Sequence, residues 1–479
     1  LSFNAAGYPL NPEGVLRSLD LLLDDVGLPR VLHEVVVGLL EPEPEQRWTP
    51  ERALAALEAV QGLSSTPPVR VEMGGIPDRD PPPDELRTQT AETVRRIAAY
   101  LEAVPDYTRR DRLWPASAEV FLTNPVGMQF GAAGPAWFLH RATGRIPEPA
   151  LRWIVDAARR EALPPSLYNG LGGAALLLLE TERNEEAREL LDRADPRLAM
   201  ALPELYHGTA GWGLTHLHFW RRTGNDLHLQ RAVEAGEHLL RTAHSDPAGA
   251  YWENEAGHAV HGLGHGQAGV ALFLTYLNAA APGTEWLALA RKALDFEFAH
   301  AERIDGRLLW IERRGLSVGP RLPHVRYGSA GVGTAALRYW AATGDDRFRR
   351  LADECAHAVA NRHSNKLWQD YGLAGYGEYL LDLYCFTGEE RYLNNAWHLV
   401  PAILAARIER PRGIAFAGLD HLRICCDFGM GMAGIGTFLH RLLDPSVPRL
   451  LMADDLLRSR ETRAEPETAE ASPAEAVPA

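Results

Sequence analysis

The chain has 479 residues, of which 46% are hydrophobic, enough for a large core and more than one domain. Its formal net charge of −14 at pH 7 disfavours a nucleic-acid surface. The absence of an eighteen-residue apolar run and of a basic-then-apolar start argues against a membrane span or a secretion signal. Four cysteines, Cys355, Cys385, Cys425 and Cys426, fit free thiols in a reducing cytoplasm better than a disulfide framework, and a start at Leu1 suggests a fragment.

In chain order, residues 1–62 read as a small helical segment, with helices expected from Val31 to Leu40 and from Glu51 to Val60 on either side of a Pro- and Glu-rich turn that ends in Arg47-Trp48-Thr49-Pro50. Residues 63–84, with Pro67-Pro68 and Pro81-Pro82-Pro83, read as an extended linker. A helix from about Asp84 to Ala103 opens the main domain, residues 85–450. From Arg458 onward large apolar residues are almost absent, and residues 451–479 are expected to be a disordered acidic tail.

The main domain is built on a repeat. A glycine followed three residues later by a second glycine recurs seven times, with first glycines at Gly131, Gly170, Gly208, Gly266, Gly328, Gly372 and Gly431. Four copies read G-x-A-G-x-G. Each opens an apolar run, and three close with Thr-Gly at Thr223-Gly224, Thr343-Gly344 and Thr387-Gly388, a helix stop. A polar residue then starts a second helical pattern, as in Asp226 to Leu240. The unit is a helix pair that cannot bury its apolar face alone, and seven such units predict an all-α fold, an α/α toroid of seven inner and seven outer helices. The inner helices then run parallel, their glycine turns converge on one mouth, and unsatisfied N–H groups give that mouth a positive potential. Long connections at 243–263, 302–327 and 407–430 are expected to border it.

These turns, together with Tyr206-His207-Gly208, Gly264-His265-Gly266 and the upstream Asp111-Arg112-Leu113-Trp114-Pro115, resemble the cyclase domain of lanthipeptide synthetases, the LanC-like family, in its class III form where lyase, kinase and cyclase are fused. The segment around Arg47 resembles the last helices of a kinase C-lobe, in which that arginine pairs with an earlier glutamate. The Gly-rich loop, the nucleotide lysine and the H-R-D and D-F-G segments are absent, so no kinase activity is expected from this chain by itself. The resemblance implies a cytoplasmic enzyme that adds a peptide cysteine thiol across dehydroalanine or dehydrobutyrine. Its partners would be a precursor peptide with its leader and the kinase and lyase domains, with no nucleic acid and no membrane.

The resemblance also implies a site. His265 matches the family's active-site histidine, and an imidazole suits general acid or base work. His207, before the third turn as His265 is before the fourth, is a second catalytic candidate, and Glu204 stands where the family carries an acid. Tyr206, Arg326, Tyr327, Asp370 and Tyr371 are candidate substrate-binding residues. In zinc-dependent members a cysteine and a Cys-His pair occupy the places that hold Arg326, Asp370 and Tyr371 here, so no metal and no cofactor are expected; Cys425 and Cys426 lie out of register. Arg326 and Asp370 are expected to pair across neighbouring turns. Two other readings stand beside the cyclase: a non-catalytic, peptide-binding scaffold, and an α/α-toroid glycosidase or terpene cyclase, for which only Glu204 and Asp370 are placed as a carboxylate pair.

Overall fold

The computed structural model describes residues 30–41, 43–58, 75–160, 162–421 and 423–458, together with 14, 17, 20, 21 and 23. Most of the linker and all of residues 459–479 lie outside the described residues.

Seven inner helices, Ala133–Thr143, Leu171–Glu180, Thr209–Thr223, Gln267–Ala280, Ser329–Thr343, Leu373–Thr387 and Met432–Leu443, each begin directly after, or two residues after, the first glycine of a repeat. Each packs on the next, and the last packs on the first, so they close into a ring. Outer helices such as Asp226–Thr242, Thr284–Ala299 and Asp346–Ala356 pack on the inner helices that precede them. Among the described residues, no outer helix packs behind the seventh inner one. Its place is taken by Asp84–Ala103, which packs on Met432–Leu443 and joins the two ends of the domain. The all-α toroid expected from the repeat is the observed fold.

Sequence chemistry accounts for the corners. Gly224, Gly344 and Gly388 adopt the left-handed conformation at helix C-termini, with φ of 67°, 73° and 73°. Asn225 and Asp345 then cap the outer helices by accepting from Leu227 N and Arg347 N, each at 3.1 Å. The second glycine of every turn lies against the carbonyl oxygen six residues earlier, where a Cβ would fall well inside van der Waals contact.

Three features differ from expectation. Each of the three long connections carries a two-stranded antiparallel hairpin, His244–Asp246 with Gly249–Tyr251, Glu302–Ile304 with Arg307–Leu309, and Ile408–Arg410 with Gly413–Ala415. The N–H groups at the start of the inner helices are not left open to the mouth. In the first three and last three turns the incoming loop wraps back and its carbonyls accept them, as Leu202 O does from Thr209 N at 2.7 Å and Cys425 O from Met432 N at 2.9 Å. In the fourth turn the buried Glu297 carboxylate accepts from Ala268 N at 3.0 Å.

The third difference is at the C-terminus, where the expected tail boundary at 451 is too early. Leu450, Leu451, Met452, Ala453, Leu456 and Leu457 are buried, because this segment folds back under the ring and carries Arg449 into it. There Asp382 holds Arg449 at 2.5 Å, Arg338 at 2.7 Å and Arg441 at 3.0 Å, all buried, and Arg338 also reaches Asp454 at 2.7 Å. The N-terminal helices Arg30–Leu39 and Pro50–Glu58 form as expected, and Arg47 Nε donates to Glu41 O at 2.7 Å. Among the described residues, no helix is long and apolar enough to cross a membrane.

Candidate functional site

The residue two places before each first glycine lies on a belt that runs around the inside of the ring. Backbone hydrogen bonds link Gln129 N to Tyr168 O at 2.9 Å, Tyr206 N to Gly264 O at 3.1 Å, Gly264 N to Arg326 O at 3.1 Å, Arg326 N to Asp370 O at 3.2 Å, Asp370 N to Gly429 O at 3.1 Å and Gly429 N to Gln129 O at 2.8 Å. Between Tyr168 and Tyr206 the link is made by stacked rings with centroids 4.2 Å apart. The belt therefore aims these side chains, and those of the residues that follow them, at a common centre. Gly264 and Gly429 leave space in it: a Cβ at Gly264 would sit 3.0 Å from Arg326 Cγ, and one at Gly429 would sit 2.6 Å from Gln129 Cγ.

The side chains close a second circle. Arg326 Nε donates to His265 Nε2 at 2.9 Å, and His265 Nδ1 lies 3.0 Å from Glu204 Oε2. Glu204 Oε1 lies 2.8 Å from His207 Nδ1, and His207 Nε2 is 2.9 Å from Asn169 Nδ2, which also donates to Gln129 Oε1 at 2.8 Å. Gln129 Nε2 donates to Asp370 Oδ2, the oxygen that faces Arg326 Nη1 at 3.5 Å, and Tyr206 Oη donates to Asp370 Oδ1 at 3.0 Å. The expected pairing of Arg326 with Asp370 thus forms, within a larger network. The donors assign the tautomers, since each Nε2 must accept and each Nδ1 must then carry the proton that Glu204 receives.

Glu204 accepts four hydrogen bonds in all, the other two from Tyr206 N at 2.8 Å and His207 N at 2.9 Å. Burial opposes its ionisation, but His265 and His207 overcome it and hold the carboxyl well below the usual range. For Asp370 burial prevails over Arg326, Tyr206 and Gln129, and its carboxyl is pushed up to about 6. Burial, assisted by Arg326, lowers the His265 imidazole despite Glu204. The rings of His207 and His265 lie 5.2 Å apart and 11° from parallel, and Tyr327 sits 5.5 Å from His265. Arg326 lies over the rings of Tyr206, Tyr327 and Tyr371 at 5.6, 5.5 and 5.7 Å. The positive charge at the mouth is that of Arg326, since the helix N–H groups are occupied. A cavity of about 20 Å³ lies against the belt, lined by Tyr168, Tyr206, Asp370, Arg449, Leu450 and Met452.

All eight residues singled out from sequence meet in this one site. Two that were missed, Gln129 and Asn169, complete the circle, and the signal for them was present: they stand two and one places before Gly131 and Gly170, the register that had selected Arg326 and His265.

The donor set does not suit a metal. Among the described residues Glu204, His207 and His265 form one group with ligand-type atoms within 4.8 Å of one another. Yet both Nδ1 atoms carry protons toward the carboxylate, and both Nε2 lone pairs are taken by Asn169 and Arg326. At the positions that the resemblance matches to metal ligands, Arg326 can only donate and Asp370 is engaged by three partners. Cys425 and Cys426 are buried, and burial raises both thiols.

Known proteins agree with this architecture. Over 268 residues the chain is 29% identical to the probable SapB synthase of Streptomyces coelicolor (strain ATCC BAA-471 / A3(2) / M145), a match that covers 55% of this chain but only 28% of that relative's length. Nisin cyclase superposes with a TM-score of 0.54 at 15% identity, over 78% of this chain and 98% of that one, a likeness of fold. Residues 196–453, more than half of the chain and five of the seven belt positions, Gln129 and Tyr168 excepted, match the model of the lanthionine synthetase C-like proteins, and the chain belongs to that family.

Proposed function

We propose that this chain is a zinc-independent cyclase domain of a lanthipeptide synthetase, closing lanthionine or labionin thioether rings by Michael-type addition of peptide cysteine thiols to dehydroalanine or dehydrobutyrine. Membership of the family supports the reaction class. The observation that carries the metal-free form is the hydrogen-bonded run Arg326–His265–Glu204–His207 at the mouth.

Its chemistry suits the reaction. A thiol with an ordinary pKa of about 8.5 is already a few per cent ionised near neutral pH. A neutral imidazole beside it can take the remaining proton, and the guanidinium of Arg326 favours the anion that forms, first on sulfur and then on the enolate. Glu204 fixes both imidazoles in one tautomer. Tyr327 and Tyr371, both partly exposed, wall the approach and offer aromatic surface to a peptide, while the buried Tyr206 backs Arg326 and Asp370.

The partners in this reading are a precursor peptide with its leader and the kinase and lyase domains of a class III synthetase in the cytoplasm. The N-terminal segment fits a kinase-lobe remnant docked on the ring, where Arg17 Nη2 donates to Ala405 O at 3.0 Å. A second reading, a peptide-binding scaffold without turnover, is favoured by the buried Arg326–Asp370 pair where other members place metal ligands. The test is thiol titre against time when the chain is given a dehydrated, cysteine-bearing peptide. Loss faster than the spontaneous rate and unchanged by a chelator supports the metal-free cyclase. Binding without acceleration supports the scaffold.

A further inference from the structure

The two histidines of the site face partners of different kinds. Arg326 Nε donates to His265 Nε2 at 2.9 Å, and a guanidinium has donors only. Protonating that nitrogen would set N–H against N–H and place a second positive charge beside the first. His207 Nε2 faces Asn169 Nδ2, also at 2.9 Å, but a carboxamide offers a donor at one end and an acceptor at the other.

Asn169 is 1% exposed, and its Oδ1 has no hydrogen-bond partner, an uncommon state for a buried acceptor. Turning the carboxamide about Cβ–Cγ exchanges its nitrogen for this oxygen. The same residue can then meet His207 first as a free base and afterwards as an imidazolium, at the cost of the Asn169–Gln129 bond. His207 is also the more open of the two, with 31% of its side chain exposed against 16% for His265. Glu204 accepts from His207 Nδ1 in either state.

We infer that His207 moves the proton in ring closure, with Asn169 as a partner that serves both of its protonation states, and that His265 is a positioning residue that holds Arg326 against the forming anion. This division of labour rests on the cyclase reading above. His207 Nε2 takes the thiol proton. The sulfur electron pair forms the bond to Cβ of the dehydroamino acid, and the carbon–carbon π pair moves onto Cα and its carbonyl as an enolate beside Arg326. His207 then returns the proton to Cα, so atoms and charge balance with no other reactant.

The charged and titratable groups packed around the two imidazoles are Glu204, Arg326, Tyr206 and Tyr327, with Asp370 behind Arg326 and Tyr206. The experiment is the pH dependence of ring closure on a dehydrated cysteine peptide by the full chain. His207→Gln should slow it roughly 100-fold and abolish the acid limb of the profile. His265→Gln should slow it less and keep that limb, and Asn169→Asp, a carboxylate beside His207, should move the limb to higher pH. Loss of the acid limb in His265→Gln with its retention in His207→Gln overturns the inference while leaving the cyclase reading intact. An unmutated chain no faster than the spontaneous reaction removes the cyclase reading, and this inference with it.

Discussion

Arg326 donates through Nε to His265 Nε2 at 2.9 Å while its Nη1 faces Asp370 Oδ2 at 3.5 Å, so one guanidinium ties the fourth, fifth and sixth turns of the ring. With 12% of the Arg326 side chain and 3% of that of Asp370 exposed, the pair is shielded from water, and removing one member leaves the other charged group without its counterion. Arg326→Ala should cost about 3 to 5 kcal/mol in urea unfolding. Arg326→Met combined with Asp370→Leu should recover much of that loss. Single variants that unfold like the unmutated protein would show that the pair contributes nothing.

Glu204 offers a different test, because it accepts four hydrogen bonds on two oxygens. Glu204→Gln replaces one oxygen by an NH2 group that must face an N–H and an imidazole N–H. We expect ring closure to fall by 100-fold or more and stability to fall by about 1 to 3 kcal/mol. Since the folded-state pKa of Glu204 is depressed, its contribution is present above the ordinary glutamate range and lost as pH falls below it. The gap between the two proteins in denaturant midpoint should therefore narrow in acid; a gap that widened there would contradict the assignment of an ionised Glu204.

Asp427 has the opposite sign. Its carboxyl is buried, accepts from Ser117 N and Met430 N, each at 2.8 Å, and is pushed up to about 7 by that burial. A raised carboxyl pKa favours the folded state below the unfolded value of about 4 and loses that contribution as pH rises toward 7. Relative to Asp427→Asn, the unmutated chain should lose up to about 4 kcal/mol of stability across this window. Parallel stability profiles for the two proteins would exclude a protonated Asp427.

At the far end of the ring, three arginines converge on Asp382. Asp382→Ala leaves three buried guanidiniums with one fewer carboxylate, and a loss of about 3 to 5 kcal/mol is expected in thermal or urea unfolding. Asp382→Ala combined with Arg449→Met should be less destabilised than Asp382→Ala alone. Equal stability of the two variants would mean that Arg449 finds solvent without Asp382.

Much of this architecture was legible because glycine spacing reports backbone geometry directly. A glycine against a carbonyl six residues earlier tolerates no Cβ, so the seven turns stood out in the chain, and the Thr-Gly stops marked the helix ends. The register two and one residues before each first glycine then named Arg326, Asp370, His207 and His265. It could equally have named Gln129 and Asn169, but an amide carries no charge and no titration, and nothing in the local sequence distinguishes it from a surface residue.

Other properties required the closed ring. The hairpins were hidden because each strand has three residues, too few for a periodic signal. The fate of the helix N–H groups depended on a wrap of the incoming loop, and burial of Leu450 to Ala453 accompanies the pairing of Arg449 with Asp382 on a distant helix. Sequence by itself marked eight of the residues that meet at the mouth, though not Gln129 or Asn169, and determined that the chain must close to bury its helices. Only the tertiary structure decided that Glu204 joins two histidines, that Arg326 occupies one of them and Asn169 the other, and that the mouth owes its charge to a side chain. Hydrogen bonds between turns depend on distances across the ring, and no local pattern encodes those.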